Sequence, residues 1–311
     1  MKSNRRQFIH SIAGFTSLSV LSQNVLADNP GAFRFPISCN SYNWVTFYKR
    51  VNKNWGEDLN ACMAEFSKTG IKAYEPVLEN AEQAVTLIPL LKKYQISMPS
   101  VYVNSVMHRQ EEVDKSIEEV LAIAAEVERV GTKIIVTNPS PVRWGGDELK
   151  TDDQLITQAA AMERLGIALR EKGITLAYHT HAPEFLAGAR EFHHVMLNTS
   201  PENVSFCFDV HWVFRGSVDS QVAVFDVLKL YGIRVVELHV RQSLNGIWTE
   251  TFGEGDIDYP RLVSELKAMN VFPHIVNEQC VEEKTPHTMT GLEAHIKDRV
   301  IFEKTFAPLI G

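Results

Sequence analysis

Residues 133–179 read KIIVTNPSPVRWGGDELKTDDQLITQAAAMERLGIALREKGITLAYH. An apolar run rich in β-branched residues ends on Asn138. An amphipathic stretch, Asp152–Lys172, closes at Gly173, and a second apolar run, Ile174–His179, ends on a histidine. Nearly continuous apolar runs are what parallel strands look like when both faces are covered. A glycine just past a helix suits a left-handed cap. The segment therefore reads as strand, loop, helix, strand.

The same unit recurs on both sides. Strand candidates are Ile37–Ser41, Ile71–Glu75, Ile96–Val103, Lys133–Asn138, Ile174–His179, Val204–Asp209, Arg234–Val240 and Val271–Glu278. Between them lie helical patterns at Asp58–Thr69, Asn80–Tyr94, Glu111–Val130, Asp152–Lys172, Ala189–Asn198, Asp219–Tyr231, Tyr259–Asn270 and Glu293–Phe306. Two long loops remain, Ser140–Lys150 and Gln242–Asp256. Eight such units in about 275 residues fit a single closed (β/α)8 barrel of the TIM type. An open doubly wound sheet is the alternative, but it calls for a glycine-rich turn after its first strand. Ile37-Ser38-Cys39-Asn40-Ser41 has no glycine.

The 311 residues are 45% hydrophobic and 22% charged, enough for one large domain with a substantial core. That composition excludes a disordered or collagen-like chain. Four scattered cysteines, Cys39, Cys62, Cys207 and Cys280, have no metal-ligand spacing and read as buried free thiols. The net charge is −7. Without a basic run the chain lacks the means to hold a phosphate backbone, so no nucleic-acid partner is expected.

Residues 1–27 read as an address rather than part of the fold. Lys2, Arg5 and Arg6 precede a short apolar stretch, Phe8–Leu21, and Val25-Leu26-Ala27 offers small residues for cleavage after Ala27. The run Asn4-Arg5-Arg6-Gln7-Phe8-Ile9-His10 resembles a twin-arginine export signal, with an ordinary secretory signal as the alternative. Serines interrupt the stretch, so no stable membrane anchor is expected. The barrel domain then spans residues 28–311. Cleavage would remove three cations and no acid, giving an exported, periplasmic protein of 284 residues with a charge of −10.

Chemistry in such a barrel collects where strands end. Those positions hold Asn40, Glu75, Tyr102, Asn138, His179 and His181, Asp209 and His211, His239 and Arg241, and Glu278. Any one of them alone reads as a helix cap or a satisfied core residue. His179, Asp209, His239 and Glu278, from four successive strands, supply two imidazoles and two carboxylates. That is a donor set for one divalent ion such as Mn²⁺, Mg²⁺, Co²⁺ or Zn²⁺. An ion so held acidifies the C–H beside a bound carbonyl. Asn40, Tyr42, Trp44, Tyr102, Asn138, His211, Trp212 and Arg241 are candidates for a substrate-binding rim, joined by Arg143, Trp144 and Trp248. Aromatic faces there would cover C–H faces, and polar groups would bond hydroxyls.

Several of these stretches also carry a family likeness. Tyr178-His179-Thr180-His181 with Glu184-Phe185, Phe208-Asp209-Val210-His211-Trp212, Leu238-His239-Val240-Arg241, Gly253–Tyr259 and Asn277-Glu278 together resemble the xylose-isomerase-like sugar isomerase/epimerase superfamily. The resemblance implies a TIM barrel with a divalent metal at Asp209, His239 and Glu278, acting on sugars, cyclitols or keto-sugars. Many members carry a glutamate as the fifth-strand ligand where this chain has His179. Glu184 or Glu75 is the alternative ligand or proton carrier. Gln242 stands where the family pattern has an aspartate. The expected function is a metal-dependent isomerase or epimerase, or a related lyase or dehydratase, with Glu184, His181 or Glu75 moving the proton. A non-catalytic carbohydrate-binding barrel and an endonuclease-like phosphodiesterase are the alternatives. A homo-oligomer remains open.

Overall fold

The computed structural model describes residues 35–146 and 148–310. The expected export signal and its cleavage site lie outside them. Eight strands run parallel: β1 Ser38–Asn40, β2 Ala73–Glu75, β3 Ser100–Ser105, β4 Ile134–Pro139, β5 Thr175–Tyr178, β6 Val204–Asp209, β7 Val235–Val240 and β8 His274–Asn277. Their order is β2-β1-β8-β7-β6-β5-β4-β3. The two ends meet through backbone bonds from Tyr74 to Ser97, Ser97 to Lys72, Tyr102 to Pro76 and Leu78 to Tyr102. The sheet is a nearly closed barrel, as the alternating pattern implies.

Period-two alternation sorts the strand residues. Ile135, Leu176, Tyr178, Phe206, Phe208 and Leu238 join the large apolar layer under the helices. Their neighbours Ile134, Val136, Ala177 and Cys207 pack with Tyr102 in a small separate cluster in the barrel interior. Ser38, Glu75, Ser100, Glu237 and His239 are also buried. The registers Phe208↔Leu238 and Asp209↔His239 set the polar strand ends side by side.

Among the described residues ten α-helices cover the barrel: α1 Ser41–Arg50, α2 Leu59–Ser67, α3 Ala81–Tyr94, α4 Gln110–Val127, α5 Asp152–Arg170, α6 Leu186–Leu197, α7 Val210–Gly216, α8 Gln221–Tyr231, α9 Tyr259–Ala268 and α10 Gly291–Ile310. Gly70, Gly131 and Gly173 all have positive φ, as their places after helices demand. In α6, residues Ala187, Gly188 and Ala189 have φ of 50°, 74° and 56°, so the regular turns follow them. The four cysteines are buried and free. Among the described residues no helix is long and apolar enough to cross a membrane.

Helices α1 and α7 add to the sequence reading, which placed no helix there. Each starts directly at a strand end and is capped by the residue that ends the strand, Asn40 or Asp209. Helix α1 turns Trp44 away from the rim, so its expected role against a sugar does not hold. Its ring is buried, 4.5 Å from Trp55 and 4.4 Å from His295, both stacked on it. The indole gains more from that apolar contact than from standing in water.

The His295 ring faces Gly291 O through Nδ1 at 2.6 Å, and burial lowers its pKa to about 4. Unfolded histidine takes up a proton near pH 6.5. The unfolded state therefore binds the proton first, and stability is lost as pH falls from 6.5 towards 4, by about 3 kcal/mol. In His295→Phe the difference in unfolding free energy between pH 7 and pH 4 is expected to shrink by roughly that amount. An unchanged difference in urea titrations at the two pH values refutes the assignment.

Candidate active site

His179, Asp209, His239 and Glu278 come from the ends of β5 to β8, all buried, and one ligand atom from each lies within 4.8 Å of the others. His179 Nε2 is 3.4 Å from Asp209 Oδ2, and His239 Nδ1 is 3.2 Å from Glu278 Oε2. Asp209 divides its carboxylate. Oδ1 accepts from Trp212 N at 2.8 Å and caps α7, while Oδ2 has no hydrogen-bond partner. Both ring nitrogens of His179 are likewise unpartnered. Buried polar atoms normally find partners, and this set of mixed N and O donors suits a divalent cation. The residues fit the ion that the sequence implied.

Charge in the cluster is uneven. Burial pushes Asp209 up to about 8 and His179 down to about 3. Burial also raises Glu278, but the Arg241 guanidinium, with Nη2 2.7 Å from Oε2, overrides it and holds the carboxyl well below the usual range. Arg241 Nε donates to Glu278 O at 2.9 Å, and its guanidinium lies 4.2 Å from the Trp248 ring and 5.3 Å from Trp212. Its Nη1 is unpartnered.

His181 is partly exposed. Its ring lies 4.9 Å from His179, 5.3 Å from Trp212 and 5.4 Å from Trp144. Burial lowers it well below the ordinary histidine range, leaving a neutral imidazole with an unpartnered Nδ1. Glu184 is buried behind it. One oxygen accepts from Asn138 Nδ2 at 2.8 Å and the other from His181 N at 2.9 Å, and burial raises the carboxyl to about 7. Asn138 Nδ2 also reaches His179 O at 3.1 Å. Glu184 thus props the β5 end, and it stands outside the four-residue cluster.

Glu75 lies outside that cluster too. It accepts from Asn40 Nδ2 at 2.6 Å and Ser100 Oγ at 3.0 Å, and faces His239 Nε2 at 3.2 Å. Asn40 spends its amide on Glu75 and on capping Tyr42 N at 2.7 Å, which leaves it as scaffold rather than rim. The Tyr102 ring edge meets His179 at 5.1 Å. Tyr42 is half exposed, near enough for Arg241 and Glu278 to act on its hydroxyl. His211 Nε2 meets Ser243 Oγ at 3.0 Å, and that hydroxyl donates to Asp256 Oδ2 at 2.7 Å. Arg143 pairs with Glu148 at the surface.

Gln242, in the place of the family aspartate, pins a loop. Oε1 accepts from Ser243 N and Ile257 N, and Nε2 donates to Gly253 O and Ile257 O. The loop passes so close that a Cβ on Gly255 would lie 2.2 Å from Ser243 O. A buried acid beside the cluster escaped the sequence reading: Glu237, 3.0 Å from His239 Nε2 and raised to about 8, by burial first and then by Glu75. The spacing Glu237-Leu238-His239, with period-two alternation, carries the signal that would have found it.

A family model described as xylose isomerase-like TIM barrel matches residues 51–297. An inosose dehydratase of Clostridium perfringens is 24% identical over 276 residues, covering 78% of this chain and 89% of that protein. Among solved structures, a D-allulose 3-epimerase from Methylomonas sp. in complex with D-allulose superposes with a TM-score of 0.65 at 15% identity, over 88% of this chain and 97% of that one. A xylose isomerase-like TIM barrel protein from Mycobacterium smegmatis in complex with magnesium gives 0.65 at 10% identity, over 90% and 99%. With its family model spanning the chain from the end of α1 to the first turns of α10, the chain belongs to the xylose isomerase-like TIM barrel family.

Proposed function

We propose that this protein is a metal-dependent enzyme that removes a proton beside the carbonyl of a sugar, cyclitol or keto-sugar, with epimerisation, isomerisation or loss of water as the outcome. The observation that carries this reading is the buried cluster of His179, Asp209, His239 and Glu278, in which the His179 ring nitrogens and Asp209 Oδ2 make no hydrogen bond. Inosose, a keto-cyclitol, is the substrate class named for the Clostridium perfringens relative, and D-allulose is bound by the Methylomonas protein. Both are polyhydroxylated and carry a carbonyl.

A divalent ion on the four residues supplies the positive charge that makes such a C–H acidic. The chain does the rest. His181, neutral and partly exposed, accepts the proton. Arg241 Nη1 donates a hydrogen bond to a substrate oxygen. Trp212 and Trp248, 5.7 Å apart and nearly perpendicular, cover the ring and exclude water. The test is incubation of the Mn²⁺- or Mg²⁺-loaded protein with inosose and a panel of ketoses and 3-keto-sugars in D₂O, followed by NMR. Metal-dependent deuterium uptake at the carbon next to the carbonyl, with product, is expected. Binding without exchange at saturating metal overturns this reading in favour of a non-catalytic sugar-binding barrel.

A further inference from the structure

A second layer of ionisable side chains lies directly under the cluster. Glu75, Cys207 and Glu237 are buried beneath His239, at a depth where such barrels are normally filled with branched apolar side chains. Taking two carboxylates out of water there carries a large desolvation cost. Both converge on one atom: His239 Nε2 lies 3.0 Å from Glu237 Oε1 and 3.2 Å from Glu75 Oε2. The other ring nitrogen, Nδ1, faces Glu278.

We infer that Glu237, together with Glu75, is a positioning residue: the two carboxylates accept the Nε2 proton of His239, fix that tautomer and the ring plane, and so aim Nδ1 at the ion site. A hydrogen-bond acceptor behind an imidazole also makes it a better ligand. The inference rests on the metal reading of the upper cluster. Cys207, Glu237 and His239 also bring one possible ligand atom each within 4.8 Å of the others, but their hydrogen bonds favour positioning over a second ion. Glu75 already receives Ser100 Oγ and Asn40 Nδ2, one on each oxygen, and the Cys207 thiol donates to Glu237 Oε1 at 3.8 Å.

The test is Mn²⁺ titration of the whole protein by calorimetry, for wild type, Glu237→Leu and Glu237→Gln, with the fold checked by circular dichroism. One ion per chain is expected in the wild type. Glu237→Leu is expected to bind it about 10- to 100-fold more weakly. Glu237→Gln, which keeps an acceptor oxygen, should recover most of that loss. Wild-type affinity in Glu237→Leu, or equal weakening in both variants, overturns the inference. Two ions in the wild type and one in Glu237→Leu also overturn it, by making the lower layer a site. No ion in the wild type removes the metal reading and this inference with it. Should Glu237→Leu fail to fold, long-range ¹⁵N–¹H spectra of the Mg²⁺-loaded wild type decide. They should show His239 protonated on Nε2, and a proton on Nδ1 alone sinks the assignment.

Discussion

Asp209→Asn is expected to empty the ion site and lower turnover by about a thousandfold or more, while the barrel stays folded. The two oxygens of Asp209 have separate duties, which is why the effects separate. Oδ1 caps α7 through Trp212 N, and an asparagine oxygen can do the same. The amide group then falls where Oδ2 stood, 3.4 Å from His179 Nε2, and presents hydrogens where the ion needs a lone pair. Burial already works against the ionised Asp209, so the ion-free variant should unfold at least as late as the ion-free wild type. Glu278→Gln should lose the ion as well, but at a cost in stability, because Arg241 would keep its buried charge without its 2.7 Å partner. Metal analysis, thermal unfolding and NMR turnover on the same preparations check all three statements. Full metal content in both variants would remove the site assignment.

His181→Phe should leave metal content intact and lower kcat by about 10²–10⁴-fold, the usual loss when a proton carrier is removed. Phenylalanine keeps the aromatic contacts with Trp144 and Trp212 and deletes only the nitrogens. Glu184→Gln is the informative contrast. Its carboxylate accepts two N–H groups, and an amide can accept only one of them without disturbing the β5 end. A fall of about tenfold is expected there, from misplaced His181 rather than lost chemistry. If Glu184→Gln loses more than His181→Phe, the two residues exchange roles and Glu184 carries the proton.

What the sequence disclosed follows from which interactions are local. Apolar runs, their period and the closing glycines act over a few residues, and they placed the strands within a few residues of their observed ends. Because strand ends converge by topology, the four-residue cluster could be named from order along the chain alone. Helix α7, seven residues long, had too few turns to show a period, and the aromatic and β-branched residues of both α1 and α7 have strand-like propensity. Trp44 was misread for that reason, since only the helix decides which way it turns. Glu75 was placed at a strand end, but its contact with His239 crosses the barrel from β2 to β7. No local pattern encodes such a pairing, and the same holds for the second role of Asn40. Gln242 likewise shows its purpose only once the loop to Ile257 is folded over it.

The meeting of β1 and β8 also sets the order in which the molecule becomes competent. The bond from Ser38 Oγ to His274 Nε2 spans 236 positions, whereas that from His239 to Glu278 spans 39. Closing the longer loop costs about 1.6 kcal/mol more chain entropy, and contacts of that separation are formed slowly. Strands β1 to β7 can zip together as the chain emerges, each beside its predecessor, with β2 and Glu75 already joined to β3. Glu278 takes its place beside His239 only when the last strand docks between β7 and β1. A growing chain therefore holds two of the cluster's residues, His179 and Asp209, long before it can hold an ion with them, and competence arrives in a single late step.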